Sequence, residues 1–207
     1  MFLQNPRMLR VCLDGQVLAR QGAMAAYQGA VDFAYQGAGS VGRFMKRAFT
    51  SEGLPLMRVS GRGDVYLARD ACEIHLIDLR GDSVTVSGEN VLAFDASLDW
   101  NIHRVSGAGM MAGGLFGMVI SGYGRLAVAC YGTPVALPVR AGQPVFVDTS
   151  AAVAWSTHLN TTVNSTVKLG SLIGRGSGEA FQLALDGDGF ALVQPSEGPP
   201  AAAGSSS

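Results

Sequence analysis

The stretch Met118-Val-Ile-Ser-Gly-Tyr-Gly-Arg-Leu-Ala-Val128 has two close relatives elsewhere in the chain. Met57-Arg-Val-Ser-Gly-Arg-Gly-Asp-Val-Tyr-Leu67 precedes it, and Leu183-Ala-Leu-Asp-Gly-Asp-Gly-Phe-Ala-Leu-Val193 follows it. In each stretch, alternating apolar residues flank Ser/Asp-Gly-x-Gly. This pattern predicts a strand, a tight turn and a returning strand, because glycine readily adopts the positive φ of hairpin turns. A recurrence after about 60 residues predicts one supersecondary unit used three times.

Residues outside these stretches repeat in the same way. Tyr27, Phe94 and Trp155 form one series, and Val84 and Val145 belong to another. Phe94 follows Tyr27 by 67 residues and Trp155 follows Phe94 by 61 residues, and we call each of these separations the repeat spacing of its step. In short segments, apolar and polar residues alternate with period two. No segment longer than one or two helical turns has helical periodicity. The sequence therefore predicts an all-β fold of three antiparallel units, arranged as a double-stranded β-helix or sandwich-like single domain.

The predicted boundaries follow from the repeat and from the composition of the C-terminus. Residues 1–195 are predicted to form one domain, with repeats at about 8–68, 69–130 and 131–195. Val11 to Arg20 is predicted to be a strand pair broken at Asp14-Gly15. Residues 196–207 are mostly Pro, Ala, Gly and Ser, a composition typical of a disordered tail.

Bulk composition restricts the classes of partner. The net charge is −1 and only 15% of residues are charged, against about 25% in a typical soluble domain. A chain with so little charge is expected to self-associate or to bind a protein partner, and we expect no nucleic acid partner. Neither a signal peptide nor an apolar run of about 18 residues is visible. The sequence predicts a cytoplasmic protein without a transmembrane segment.

No catalytic, cofactor or metal site is predicted from the motifs. The Gly-x-Gly pairs lack the third glycine and the following helix of a nucleotide-binding loop. The three cysteines are expected to be buried, and the three histidines are too dispersed for a ligand cluster: Cys12, Cys72, Cys130, His75, His103 and His158. Asp186 and Asp188 could chelate calcium, but aspartate in a glycine-rich turn more often accepts bonds from the turn backbone.

Three glycine-rich loops precede the three repeated stretches, and each carries bulky apolar residues. Repeat symmetry predicts that these residues gather at one end of the molecule, as a partner or self-assembly site. The alternative is that they fold inward as a lid on the core. Basic residues in the first loop make contact with an anionic membrane surface or a nucleic acid a minor alternative. The candidate interaction residues are Phe44, Met45, Phe49, Met110, Met111, Leu115, Phe116, Leu169, Leu172 and Ile173.

Several motifs together resemble a known family. They are Gly22-Ala-Met24, Gly142-x-Pro-Val-Phe-Val-Asp148-Thr, Val153-Ala-Trp155 and Gly187-Asp-Gly-Phe-Ala-Leu-Val-Gln194-Pro. The set resembles the altered inheritance of mitochondria protein 24 family, formerly domain of unknown function 124, over nearly all of residues 8 to 195.

The resemblance implies an all-β fold like that of the tryptophan RNA-binding attenuation protein, which is classed with double-stranded β-helices. Bacterial members have no established activity, and the mitochondrial member is linked to cristae organisation, which implies scaffolding rather than catalysis. RNA binding does not follow from the fold name.

Three functional hypotheses result. The leading one is a non-enzymatic binding or assembly module without a cofactor. The second is a small-molecule or lipid-binding β module with its ligand between the sheets. The third is an enzyme whose site combines dispersed residues such as His75, His103 and Asp148.

Overall fold

The computed structural model describes residues 1–35, 55–104, 116–165 and 181–196. Within these ranges the chain forms fourteen β-strands and no helix, which confirms the all-β prediction. The strands are β1 (Phe2–Asn5), β2 (Met8–Arg20), β3 (Met24–Tyr35), β4 (Leu56–Leu67), β5 (Glu73–Ser87), β6 (Val91–Asp95), β7 (Asp99–Arg104), β8 (Phe116–Cys130), β9 (Val135–Val139), β10 (Val145–Asp148), β11 (Ala152–Ser156), β12 (Asn160–Ser165), β13 (Phe181–Asp186) and β14 (Gly189–Val193).

The strands form two antiparallel sheets. The larger has the order β3-β4-β2-β6-β8-β5-β11-β14-β9, with β1 paired to β2 and β7 paired to β8. The smaller has the order β10-β13-β12. Two long ribbons, β2·β4 and β5·β8, dominate the larger sheet, and the short strands β6 and β11 join one unit of the chain to the next.

The predicted hairpins are wrong, because the Gly-x-Gly motifs lie within continuous strands or between sheets. β4 runs through Gly61 and Gly63 while it pairs with β2 on one side and β3 on the other, and β8 likewise runs through Gly122. β2 is also one strand, rather than a pair broken at Gly15. The third copy crosses between sheets, since β13 belongs to the smaller sheet and β14 to the larger.

The glycines allow these strands to bend. Gly61 has a φ of 121°, outside the range that other residues adopt without strain. A Cβ atom there would lie 2.1 Å from the carbonyl oxygen of Ala30 on β3. The bend therefore places the backbones of β3 and β4 closer than a side chain would permit.

Apolar residues in the described part of the chain form three core clusters. Core 1 contains residues from both halves of β2, such as Leu9 and Val17, because the paired strands β2 and β4 bend near their middle. Core 2 is centred on Phe94. Core 3 lies between the two sheets and includes Trp155 of the larger and Leu185 of the smaller. The protein is thus sandwich-like, as predicted.

A buried polar network connects the C-terminal end of β14 to the middle of the chain. The Asn90 Nδ2 donates to the carbonyl of Ala129 at 2.9 Å and to Oε1 of Gln194 at 3.1 Å. The same Gln194 oxygen accepts a bond from the backbone N of Tyr131 at 3.1 Å, and its Nε2 donates to the carbonyl of Ser150 at 3.1 Å. Gln194, part of the Gln-Pro motif, therefore ties the third unit to the second.

Candidate assembly interface

The predicted interaction loops are largely outside the described residues. Nine of the ten candidates lie there: Phe44, Met45, Phe49, Met110, Met111, Leu115, Leu169, Leu172 and Ile173. Phe116 is the first residue of β8. The loop site stays a prediction. Among the described residues, the exposed edge strands of the two sheets are the candidate interaction surfaces.

β3 is an edge strand that offers an uncharged surface. It occupies one end of the larger sheet and, among the described strands, pairs only with β4. Its first seven residues, Met24-Ala-Ala-Tyr-Gln-Gly-Ala30, are all exposed and include no charged side chain. Tyr27 is 51% exposed. Because an exposed edge has a row of unpaired N–H and C=O groups, it can pair with a strand from another chain.

The strands at the corresponding places in the other two units are buried. Phe94 of β6, one repeat spacing after Tyr27, is 0% exposed, and Trp155 of β11, one spacing further, is 2% exposed. All three strands have a register shift at the same place, between Met24 and Ala26, Val91 and Ala93, and Ala152 and Ala154. The three strands thus share a local structure, but β6 and β11 are buried whereas β3 is exposed.

The aromatic geometry supports this correspondence. The rings of Tyr27 and Phe33 meet edge to face with centroids 5.2 Å apart, and those of Phe94 and Trp100 meet in the same way at 6.2 Å. Both pairs have an interplanar angle of 66°, and the second pair follows the first by the repeat spacing at both members. Tyr27 is thus positioned like a core residue but lacks a cover.

Other edges among the described strands differ from β3 in their chemistry; the short strand β1, which pairs only with β2, exposes 41% of Phe2. β10, at the edge of the smaller sheet, exposes 57% of Phe146. β9, at the far end of the larger sheet, contains Pro138, which has no N–H to donate and protects an edge against pairing. β12, on the opposite side of the smaller sheet, has the mostly polar sequence Asn-Thr-Thr-Val-Asn-Ser. Of the edges β3, β9, β10 and β12, β3 and β10 present exposed aromatic side chains.

The junction between the first two units shows what a covered edge contains. Arg20, at the end of β2, donates hydrogen bonds to the carbonyls of Gly88, Glu89 and Val91, at 2.9, 2.8 and 3.2 Å. Burial lowers the pKa of its guanidinium to about 10. The three carbonyls compensate for the partial burial of this charge at the junction.

Asp186 and His158, two of the candidate metal ligands, form hydrogen bonds with the backbone. Oδ1 of Asp186 accepts bonds from the backbone N of Gly187 and Gly142, each at 3.0 Å, as predicted for a turn aspartate. The ring Nε2 of His158 donates to the carbonyl of Asp188 at 2.7 Å. Among the described residues, no three His, Cys, Asp or Glu side chains form a metal site.

The enzyme hypothesis combined residues that lie on separate elements. His75, His103 and Asp148 lie on β5, β7 and β10, and β10 belongs to a different sheet from the other two. Within the described part of the chain, Nε2 of His75 is buried without a hydrogen-bond partner and lies 3.9 Å from Oε2 of Glu73. The carboxylate of Asp148 accepts a bond from the backbone N of Ser150 at 2.7 Å.

The prediction for the cysteines holds for two of the three. Cys72 and Cys130 are buried, and burial raises the pKa of the Cys130 thiol to about 12. Cys12 is exposed, contrary to the prediction, because its position on β2 points away from the core that Val11 and Leu13 enter.

Two clefts open on the surface where β5 bends. The first, of about 360 Å³, contains Asp78 and Arg125, which bind each other with Oδ1 and Nε 2.6 Å apart. The second, of about 430 Å³, is lined in part by Ile77, Thr157 and Phe190. The strand residues that line the second cleft belong to the larger sheet, so a ligand held between the two sheets stays a hypothesis.

Comparison with known proteins places these features in a family. Residues 3–196 match the sequence pattern of the mitochondrial biogenesis AIM24 family. The chain belongs to this family. The match confirms the resemblance seen in the motifs and includes β3, β10 and both internal junctions. No curated protein matches the chain.

A solved structure shows that the fold is shared. The crystal structure of protein SPYM3_0169 from Streptococcus pyogenes has a TM-score of 0.73 and 21% sequence identity. The alignment covers 93% of this chain and 90% of that one. Separately, no helix in the described part of the AIM24-family chain is long and apolar enough to cross a membrane.

Sequence reasoning did not identify the open edges. The repeat spacing related Tyr27 to Phe94 and Trp155, but it did not indicate which of the three would be uncovered. One available signal was the uncharged run Met24–Ala30, since edge strands usually carry charged residues or proline that prevent pairing.

Proposed function

We propose that this protein is a non-enzymatic assembly module that associates with itself through open sheet edges, chiefly β3. The observation that carries the proposal is the contrast between β3 and its counterparts. Tyr27 is half exposed, whereas Phe94 and Trp155 are covered by a neighbouring unit. An edge with buried counterparts inside the same chain is suited to receive a strand from another copy.

Composition and edge chemistry support the proposal. A protein that is not meant to associate usually protects its edges with lysine, proline or short strands. β3 is 12 residues long, and its exposed first half carries none of these. The low charged fraction, 15%, also weakens the electrostatic repulsion between copies.

The test is the mass in solution, measured by light scattering after size-exclusion chromatography at several concentrations. We expect a multiple of the 21.5 kDa chain mass. Tyr27→Lys should lower that mass, because an ammonium group on the edge prevents strand addition. Tyr123→Lys is the matched control, since Tyr123 is a more exposed tyrosine, at 75%, on a strand paired on both sides. A monomer at every concentration would refute the proposal.

A further inference from the structure

The two internal junctions of the chain have the same register. At the first, Leu18 of β2 lies opposite Phe94 of β6. At the second, Thr85 of β5 lies opposite Trp155 of β11. The separation from Leu18 to Thr85 equals the first repeat spacing, from Tyr27 to Phe94. Trp155 follows Phe94 by the second repeat spacing. The register is thus a property of the repeated unit.

The same spacing identifies the two unpaired ends. The separation from Thr85 to Phe146 of β10 equals the separation from Phe94 to Trp155. Likewise, the separation from Tyr27 of β3 to Phe94 equals the separation from Leu18 to Thr85. These are the exposed aromatic residues of the two open edges, at 57% and 51%. Their counterparts at the formed junctions are buried, since Leu18 is 8% and Thr85 is 5% exposed.

We infer that β10 of one copy pairs antiparallel with β3 of a second copy, with Phe146 opposite Tyr27. The inference rests on the proposed self-assembly and specifies its partner and register. The first junction pairs Val17 with Asp95 and Ala19 with Ala93, and the second pairs Val84 with Ser156 and Val86 with Ala154. By the same spacing, the flanking pairs between copies are Val145 with Gln28 and Val147 with Ala26.

The core clusters differ in whether a following unit contributes a residue to them. Leu92 of β6 contributes to core 1 of the preceding unit, and Val153 of β11 contributes to core 2. Among the described residues, core 3 contains no residue from a following unit. The residue at the equivalent position is Ala25, one repeat spacing before Leu92, and it is exposed on β3. In the assembly, Ala25 of one copy packs on core 3 of another.

The exchange is reciprocal. Leu18 of β2 belongs to core 2, the core of the unit that follows its own. Phe146 occupies the equivalent position in the third unit, so it enters core 1 of the next copy, beside Tyr27. Each junction between copies therefore buries an aromatic side chain from both partners, whereas each internal junction buries one, Phe94 or Trp155.

The described strands do not make this pairing within one chain. β3 ends the larger sheet and pairs with β4, whereas β10 pairs with β13 in the smaller sheet. A second copy is therefore needed to join the two edges. Because the contact uses a different surface on each partner, it is head to tail and generates a ring or a filament.

Cysteine cross-linking tests the register. On a Cys12→Ser background, which removes the exposed thiol, Tyr27→Cys and Phe146→Cys are combined in one chain. Residues directly opposite in an antiparallel pair are close enough for a disulfide. We expect mild oxidation to give covalent multimers of the 21.5 kDa chain. The control combines Gln28→Cys with Phe146→Cys, since a shift of one residue places the thiols on opposite faces; its cross-linking should be at least about tenfold slower.

Mixing single variants tests the head-to-tail geometry. Tyr27→Cys mixed with Phe146→Cys should give a disulfide-linked dimer, and neither variant alone should do so. A wild-type multimer without the matched cross-link, or with cross-links in a single variant alone, would overturn this inference and leave the proposed self-assembly standing. A monomeric wild type would overturn both. Circular dichroism of each variant confirms that the exposed substitutions leave the sheet intact.

Discussion

Gly61→Ala tests whether the close backbone approach of β4 to the edge strand β3 requires glycine at position 61. Gly15→Ala provides a close control. The two glycines lie opposite each other on β4 and β2, with φ of 121° and 122°. A Cβ at Gly15 would have no atom within 4 Å, whereas a Cβ at Gly61 would lie 2.1 Å from the carbonyl oxygen of Ala30. The two variants therefore share the backbone strain and differ in the steric clash.

The magnitudes follow from these geometries. A non-glycine residue at this φ costs about 1–3 kcal/mol, which both variants lose. At Gly61, β3 must also move by roughly 1 Å, since real Cβ atoms are essentially never closer than 3.0 Å to such a neighbour. If that movement breaks about two ladder hydrogen bonds worth about 1 kcal/mol each, the total for Gly61→Ala is about 3–5 kcal/mol.

Urea unfolding at one fixed protein concentration measures the difference. With an m-value of about 2 kcal/mol/M, the additional loss of about 2 kcal/mol lowers the midpoint for Gly61→Ala about 1 M below that for Gly15→Ala. We also expect Gly61→Ala to reduce the assembled mass, because it displaces β3, and Gly15→Ala to leave the assembly largely intact. Equal midpoints for the two variants would refute the claim that close backbone approach, rather than φ alone, requires glycine at position 61.

Three further outcomes are expected. Gln194→Ala should lower the free energy of unfolding by about 2–4 kcal/mol, because it removes the hydrogen bonds of the Tyr131 backbone N and the Ser150 carbonyl and one of the two bonds of the buried Asn90 amide; thermal unfolding measures this, and a loss below about 0.5 kcal/mol would contradict the network's role. The pKa of Asp64 is lowered by the guanidinium that donates two hydrogen bonds to it, so its stabilising contribution is present above its unfolded pKa of about 4 and is lost as the pH falls through the lower folded value. Asp64→Asn should therefore make unfolding less sensitive to acid, whereas Asp14→Asn, in a largely exposed ion pair, should have little effect. In the native protein a thiol reagent should modify Cys12 rapidly and Cys130 only on unfolding, since burial raises the pKa of the Cys130 thiol to about 12; mass spectrometry of the labelled peptides checks the order.

Local pattern was sufficient for the fold class and insufficient for the path of the chain. Period-two alternation with many glycines predicted an all-β protein, and Tyr27, Phe94 and Trp155, related by the repeat spacing, lie on β3, β6 and β11. The Ser-Gly-x-Gly motif at residues 60–63, however, fits both a hairpin turn and a bend in a continuous strand. β4 is continuous because β2 and β3 pair with it on both sides of the bend.

The candidate interface depended on the tertiary structure even more. Tyr27 and Phe94 have the same local register, the same bulge and an edge-to-face aromatic partner, and only Phe94 is buried. The sequence by itself determined the all-β class, because the side-chain period and the glycine content are local properties. Only the tertiary structure decided which edge remains open, because burial depends on whether a neighbouring unit supplies the next strand.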